Sequence, residues 1–216
     1  MATAPRHHGR LALRATAMLC VVLWTGCGGD DSSASDEDQI RGAVERLLES
    51  DSVKDQCETA VSPLFVREVY TSLARCREVT KPDGDEVPPE TAKISATRID
   101  GDAATTGVTL TSVKGARATG RLALVKLGGE WKVNRVGVDF MRSLFRELPK
   151  QADSSEDRLI LRCLAESARD LSRRDIRRLG NRLIGQRLDP DDFPPGAVSC
   201  IRRGTPPLPG QPSTTV

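Results

Sequence analysis

The chain has 216 residues, with 32 Lys and Arg against 30 Asp and Glu for a formal charge of +2. Two Trp, one Tyr and four Phe are too few, and its cations too evenly balanced by acids, for the clustered basic and stacking surface that binds nucleic acid. Both histidines, His7 and His8, lie at the amino terminus. Their absence from the rest of the chain excludes Ser-His-Asp and Cys-His nucleophile pairs and histidine-ligated metal sites together, and no motif for a cofactor is present.

Arg6, Arg10 and Arg14, with no acid among them, precede the apolar run Ala15 to Trp24. Small residues follow, which is the layout of a secretory signal peptide over residues 1–26. A run of ten or so apolar residues falls short of the roughly twenty that cross the hydrocarbon core. The sequence Leu23-Trp24-Thr25-Gly26-Cys27 is similar to the lipobox of bacterial lipoproteins, in which the cysteine thiol is acylated and the signal removed just before it. Trp24 stands where the lipobox usually has Leu, and Leu23 lies one place further out. The resemblance implies lipidation at Cys27 and a protein anchored by lipid to the outer face of the cell membrane. The alternative is an ordinary secretory peptide cleaved near Gly26, leaving Cys27 a free thiol. Abundant Arg, Ala and Gly resemble an actinobacterial coding bias.

Loss of residues 1–26 leaves 190 of the 216, enough for one domain with an appendage or two small domains. The three arginines of that segment, with no acid to offset them, turn +2 into −1 for the remainder. Beyond Cys27 four cysteines remain, Cys57, Cys76, Cys163 and Cys200. An even set in an oxidising compartment reads as disulfides. Of the three pairings, nearness in sequence favours Cys57 with Cys76 and Cys163 with Cys200. A four-cysteine metal site is disfavoured because no Cys-x-x-Cys pair exists.

Residues 27–37 are small, polar and acidic, which predicts a flexible tether. Ser35 or Asp36 then caps a helix whose Ile40, Ala43, Val44, Leu47 and Leu48 recur at steps of three and four. Ser62-Pro63 starts a second helix, running through Leu64, Val66, Val69, Tyr70 and Leu73, with Phe65 beside them. Cys57 and Cys76 bracket it. Lys81 to Glu90 reads as a surface loop. From Ala92 the period becomes two: Ile94, Ala96 and Ile99, a turn at Asp100-Gly101-Asp102, Val108 and Leu110, then Ala118, Leu122, Leu124 and Val125. Gly128-Gly129 turns into Trp131, Val133, Val136 and Val138. Strands joined by glycine turns predict an antiparallel meander, and helices followed by a sheet predict an α+β fold.

The opening amphipathic helix, the cysteine-bracketed segment with Pro63, Phe65 and Tyr70, and Gly101-Asp102-Ala103 followed by Leu124-Val125-Lys126-Leu127-Gly128-Gly129-Glu130-Trp131-Lys132-Val133 together resemble the NTF2-like, or SnoaL-like, superfamily. Within it the chain looks most like the actinobacterial lipoprotein branch. The resemblance spans roughly Asp36 to Leu144, placed in a domain over 38–148. It implies a curved sheet wrapping the helices into a cone with a cavity.

Beyond Pro149 a second unit over 154–203 reads as a helical hairpin. Ser155 caps a helix with Leu159, Cys163 and Leu164, and Ser172 with Asp175 forms a capping box for a helix with Ile176, Leu179, Leu183 and Ile184. Asp189 to Ser199 reads as a loop returning Cys200 towards Cys163, and residues 204–216 as a disordered tail.

Three groups merit weighing as sites. Asp139, at the end of the last predicted strand, and Tyr70 are the base and phenol that the resemblance to cone-shaped ketosteroid isomerase-like enzymes implies for abstracting a proton beside a carbonyl. The bland reading makes Asp139 a cap and Tyr70 a core residue. Asp189, Asp191 and Asp192 lack the alternating spacing and final glutamate of a calcium loop and read as solvated. Arg173, Arg174, Arg177, Arg178 and Arg182 can attract lipid headgroups or an acidic partner, although Glu166, Asp170 and Asp175 nearby suggest a salt-bridged exposed face. The composite expectation is a non-catalytic binding or interaction module of the envelope. It meets the membrane through its lipid and takes either an envelope protein or a small apolar ligand. A small cavity isomerase or hydrolase is the alternative.

Overall fold

The computed structural model describes residues 35–50, 52–80 and 91–204. The signal peptide, Cys27, most of the 27–37 segment, the Lys81 to Glu90 loop and the tail beyond Gly204 lie outside the described residues.

Helix α1 spans Asp36–Glu49 and is capped by Ser35, whose hydroxyl accepts from the Asp38 N–H. Asp36 and Glu37, assigned to the tether by composition, are therefore the first turn of this helix, where acids favour the positive end of its dipole. Ile40, Ala43 and Val44 are buried, while Leu47 and Leu48 pack half-buried against the same core.

The second predicted helix is broken. Ser62 caps it as expected, accepting from the Phe65 N–H, and Pro63 occupies the first turn, but α2 spans only Pro63–Phe65. A π-helical turn over Val66–Tyr70 follows, and Thr71 then adopts a φ of 72°. Ser72 caps a new helix, α3, over Leu73–Val79. Leu73 thus begins an element instead of continuing one, and its side chain is exposed. A π-helical turn at Asp55–Thr59 carries Cys57, which bonds Cys76 of α3 across a Cα separation of 5.9 Å.

The meander is present, with β1 Thr91–Asp100, β2 Ala103–Thr111, β3 Arg117–Leu127 and β4 Glu130–Val136 in the order β1-β2-β3-β4, all neighbours antiparallel. Gly128 and Gly129 take φ of 60° and 87°, the paired positive values that a two-residue hairpin turn with the native twist requires. A bulge between Ser95 and Thr97 shifts the phase of β1. As a result Ala96 and Ile99 face solvent, and Thr97 turns inward to meet Thr106 hydroxyl to hydroxyl at 3.0 Å. In β2 to β4 the alternation holds: Ala104, Val108, Ala118, Leu122, Leu124, Trp131 and Val133 are buried.

The fourth strand stops at Val136. Val138 and Asp139 belong to α4, Val138–Glu147, whose backbone crosses β3 at Gly120. Asp139 therefore sits in the first turn of a helix and not at a strand end. Gly137 supplies the extended residue before it, and its N–H still donates to the Arg121 carbonyl at 2.8 Å.

The carboxyl-terminal part holds three helices where a hairpin of two was expected: α5 Ser155–Ala168, α6 Arg173–Ile184 and α7 Pro195–Gly204. Ser154, one residue earlier than predicted, caps α5, and Ser172 caps α6. The loop expected over Asp189 to Ser199 contains a 3-10 turn at Pro190–Asp192 and the start of α7. α5 and α6 both lie against α4, and α7 lies against α5. Cys163 bonds Cys200 across a Cα separation of 5.5 Å, fixing α7 to α5. Leu161, Leu164, Ile176 and Leu179 belong to the same continuous cluster as Val44, Trp131 and Phe145. The core thus runs through the boundary placed at Pro149. The fold is α+β: a four-stranded antiparallel sheet with helices packed on it and on one another.

Candidate functional site

Tyr70 and Asp139 occupy unrelated environments. Tyr70 ends the π-helical turn, is 6 % exposed, and has its ring 6.2 Å from that of Phe65. Burial pushes its phenol up to about 12, which makes it a poorer proton donor. Asp139 is exposed; partial burial would raise its carboxyl, but the Arg121 guanidinium at 2.8 Å and the Phe140 N–H together hold it below the usual carboxylate value. That change weakens it as a base. No hydrogen bond joins the two residues among the described contacts.

Large side chains are buried in the core between helices and sheet. Trp131, Phe65, Phe140, Met141 and Phe145 are all 5 % exposed or less. At the start of α1, Asp36 accepts from Trp131 Nε1 at 2.8 Å and from Lys126 Nζ at 2.7 Å. Lys126 first, then Trp131, hold the Asp36 carboxyl below its ordinary value. This clamp ties the start of α1 to the β3–β4 hairpin, which is a structural task.

Among the described residues a concave feature that carries chemistry lies between α6 and the π-helical turn Val66–Tyr70. It is a cleft of about 390 Å³ lined by Glu68, Arg173, Arg174, Arg177, Arg178, Asn181, Arg182 and Arg187. Helical geometry builds it. Positions 173, 174, 177, 178, 181 and 182 recur at steps of four and form one stripe of α6. On the other side Ile176, Leu179 and Gly180 are buried, with Gly180 against Met141 of α4.

The salt-bridged face suggested by Glu166, Asp170 and Asp175 does not form. Asp175 is occupied at the helix start, accepting from the Ser172 hydroxyl at 2.6 Å. Among the described residues the side chains of Arg173, Arg174, Arg177 and Arg178 have no ion-pair or hydrogen-bond partner, and Arg177 Nε is buried without one. Arg182 pairs with Asp192. Asp192 also accepts from the Asp189 N–H at 3.2 Å, closing a capping box with Asp189, so Asp192 is drawn into the turn while Asp189 and Asp191 stay exposed as expected. Glu68 is engaged by Arg135 at 3.1 Å.

No known family model, curated protein or solved structure matches the chain.

Three of the lining residues escaped sequence reasoning. Arg187 lies beyond the end of α6 and folds back, donating from Nε to the Val69 carbonyl at 2.9 Å and from Nη2 to the Glu68 carbonyl at 3.2 Å. Those carbonyls are left over where Thr71 breaks the helix. Burial, then the charges of Arg182 and Arg75, lower the pKa of Arg187. Asn181 is 8 % exposed and its side chain has no hydrogen-bond partner among the described residues. Its signal in the sequence was its place on the arginine stripe. Glu68 gave none.

Among the described residues no group of three or more His, Cys, Asp or Glu is placed to hold a metal ion. No described helix is long and apolar enough to cross a membrane.

Proposed function

We propose that the protein is a lipid-anchored, extracytoplasmic binding module of the cell envelope, built on an NTF2-like cone and working without catalysis. The observation that carries the reading is the open arginine cleft, in which Arg173, Arg174, Arg177 and Arg178 have no partner among the described residues, while aromatic side chains are buried in the interior that a cavity enzyme needs. Export is supported by two disulfides formed by all four cysteines beyond Cys27. The lipobox-like sequence at Cys27 supports the anchor, and the four-stranded meander with helices on it supports the cone. The aromatic side chains buried in the core favour an envelope partner met at the surface over a small apolar ligand inside.

Two measurements test this. Labelling with an alkynyl fatty acid should mark the wild-type protein and not Cys27→Ala, and Cys27→Ala should leave the membrane fraction; an unlabelled wild type refutes lipidation, and a variant that stays in the membrane fraction refutes the lipid as its anchor. Crosslinking in the native envelope, read by mass spectrometry, should recover a component that Arg174→Glu/Arg178→Glu loses and that Asp139→Asn/Tyr70→Phe keeps. The opposite pattern would return the alternative, a cavity isomerase using Asp139 and Tyr70.

A further inference from the structure

Resting on the binding-module reading, we infer that the cleft between α6 and the π-helical turn is a phosphate-binding site, seating the phosphate of a polar ester on Arg174, Arg177, Arg178 and Asn181. Six guanidinium groups and one carboxylate line it. Arg182 is matched by Asp192 and Glu68 by Arg135, which leaves the four arginines at the start of α6 without a counter-charge among the described residues.

Arginines that only decorate a surface normally pair with neighbouring acids or extend into solvent. Here Arg177 buries its Nε with no acceptor, and the side chain of Asn181 has no hydrogen-bond partner among the described residues. A buried donor without an acceptor is costly, and Arg177 and Asn181 line the same cleft. A ligand presenting oxygen acceptors would supply partners to the guanidinium and the amide together. The forked guanidinium matches oxyanions bidentately. A tetrahedral phosphate offers oxygens in several directions, so it can meet donors from the α6 stripe and from Arg187 on the facing wall; a planar carboxylate offers two oxygens in one plane. No aromatic or aliphatic side chain lines the cleft, so an acyl chain finds no apolar wall to pack on. The recognised part of the ligand is the phosphate itself.

A phosphate of this kind reaches the cleft either as a phospholipid headgroup or as a soluble ester, and one experiment separates them. The full chain is titrated calorimetrically with inorganic pyrophosphate at low and at physiological salt. In parallel it is sedimented with phosphatidylcholine vesicles containing or lacking phosphatidylglycerol. Arg174→Ala/Arg178→Ala removes two exposed, unpartnered side chains and should fold normally. Arg158→Ala/Arg162→Ala removes the same charge from exposed positions of α5. Pyrophosphate should bind the wild type and the α5 variant alike, weaken at least about tenfold in the α6 variant, and weaken as salt rises. Asn181→Asp, checked for folding by circular dichroism, should lose binding as well.

Vesicle binding that depends on phosphatidylglycerol and is displaced by pyrophosphate assigns the headgroup source; pyrophosphate binding without vesicle binding assigns the soluble ester. Equal losses in the α5 and α6 variants, or binding to neither probe, overturn the site. If the envelope crosslink still depends on Arg174 and Arg178 while neither phosphate probe binds, the ligand class fails and the binding-module reading stands.

Discussion

At the scale of single residues, the close approaches decide most. A Cβ on Gly120 would overlap the backbone of Phe140, where α4 crosses β3, and backbone cannot step aside. A Cβ on Gly180 would meet the flexible end of Met141 instead. Gly120→Ala should therefore lower the unfolding free energy by about 2 to 3 kcal/mol. Gly180→Ala, which gains about 1 kcal/mol of helix propensity while displacing a thioether, should stay close to the wild type. Urea denaturation compares the two, and equal losses would show that α4 does not sit on β3 in this way. Tyr70 supplies a pH test. Its phenol titrates near 10.0 in the unfolded chain and near 12 in the fold, so the fold retains a proton that the unfolded chain has lost. The stabilisation is whole below pH 10 and is lost as pH rises towards 12, by up to about 3 kcal/mol. In Tyr70→Phe that alkaline loss should largely vanish, as chemical denaturation across this range would record.

At the scale of elements, the two disulfides do different work. Cys57 and Cys76 join a π-helical turn to α3, and both are buried in the main core. Cys163 is buried, but Cys200 is only half-buried on α7, whose contacts are chiefly with α5. The loop-entropy account gives about 3 kcal/mol for the first ring, with 19 residues of separation, and about 4 for the second, with 37. Removing the second with Cys163→Ala/Cys200→Ala should raise amide exchange throughout α7 while leaving β2 and β3 protected. Exchange that rises uniformly would mean that α7 unfolds only with the whole molecule. The sequence announced most element starts, because caps are local: Ser35, Ser62 and Ser172 each hold the N–H expected of them. It misplaced the end of the second helix and the nature of α7. The break at Thr71 lies within a run of good apolar periodicity, and α7 begins among prolines that read as a loop.

At the scale of the whole molecule, net charge is almost nil, yet arginine is concentrated on one stripe of α6. Like charges four residues apart repel, so the stripe costs stability that a bound anion offsets. Arg174→Gln/Arg178→Gln should raise the melting temperature slightly, by the equivalent of about 0.5 kcal/mol, while phosphate binding falls. Added salt should raise the wild-type melting temperature more than that of the variant. A variant less stable than the wild type would show that these arginines have partners in solution. The α6 stripe was fully legible in the sequence, as was its even spacing. What could not be read was where the neighbouring acids go. Asp175 turns to its helix cap, Asp192 to Arg182, and Glu68 to Arg135, and only three-dimensional neighbourhood assigns them. The sequence by itself determined the α+β class, the antiparallel meander and the favoured cysteine pairing, because period, turn chemistry and loop length are properties of neighbouring residues. The tertiary structure alone decided which aromatic side chains are buried together, that Tyr70 is buried while Asp139 is exposed and paired with Arg121, and that Asn181 and Arg187 complete a cleft. Those outcomes depend on which side chains meet across long separations, and packing rather than local preference settles that.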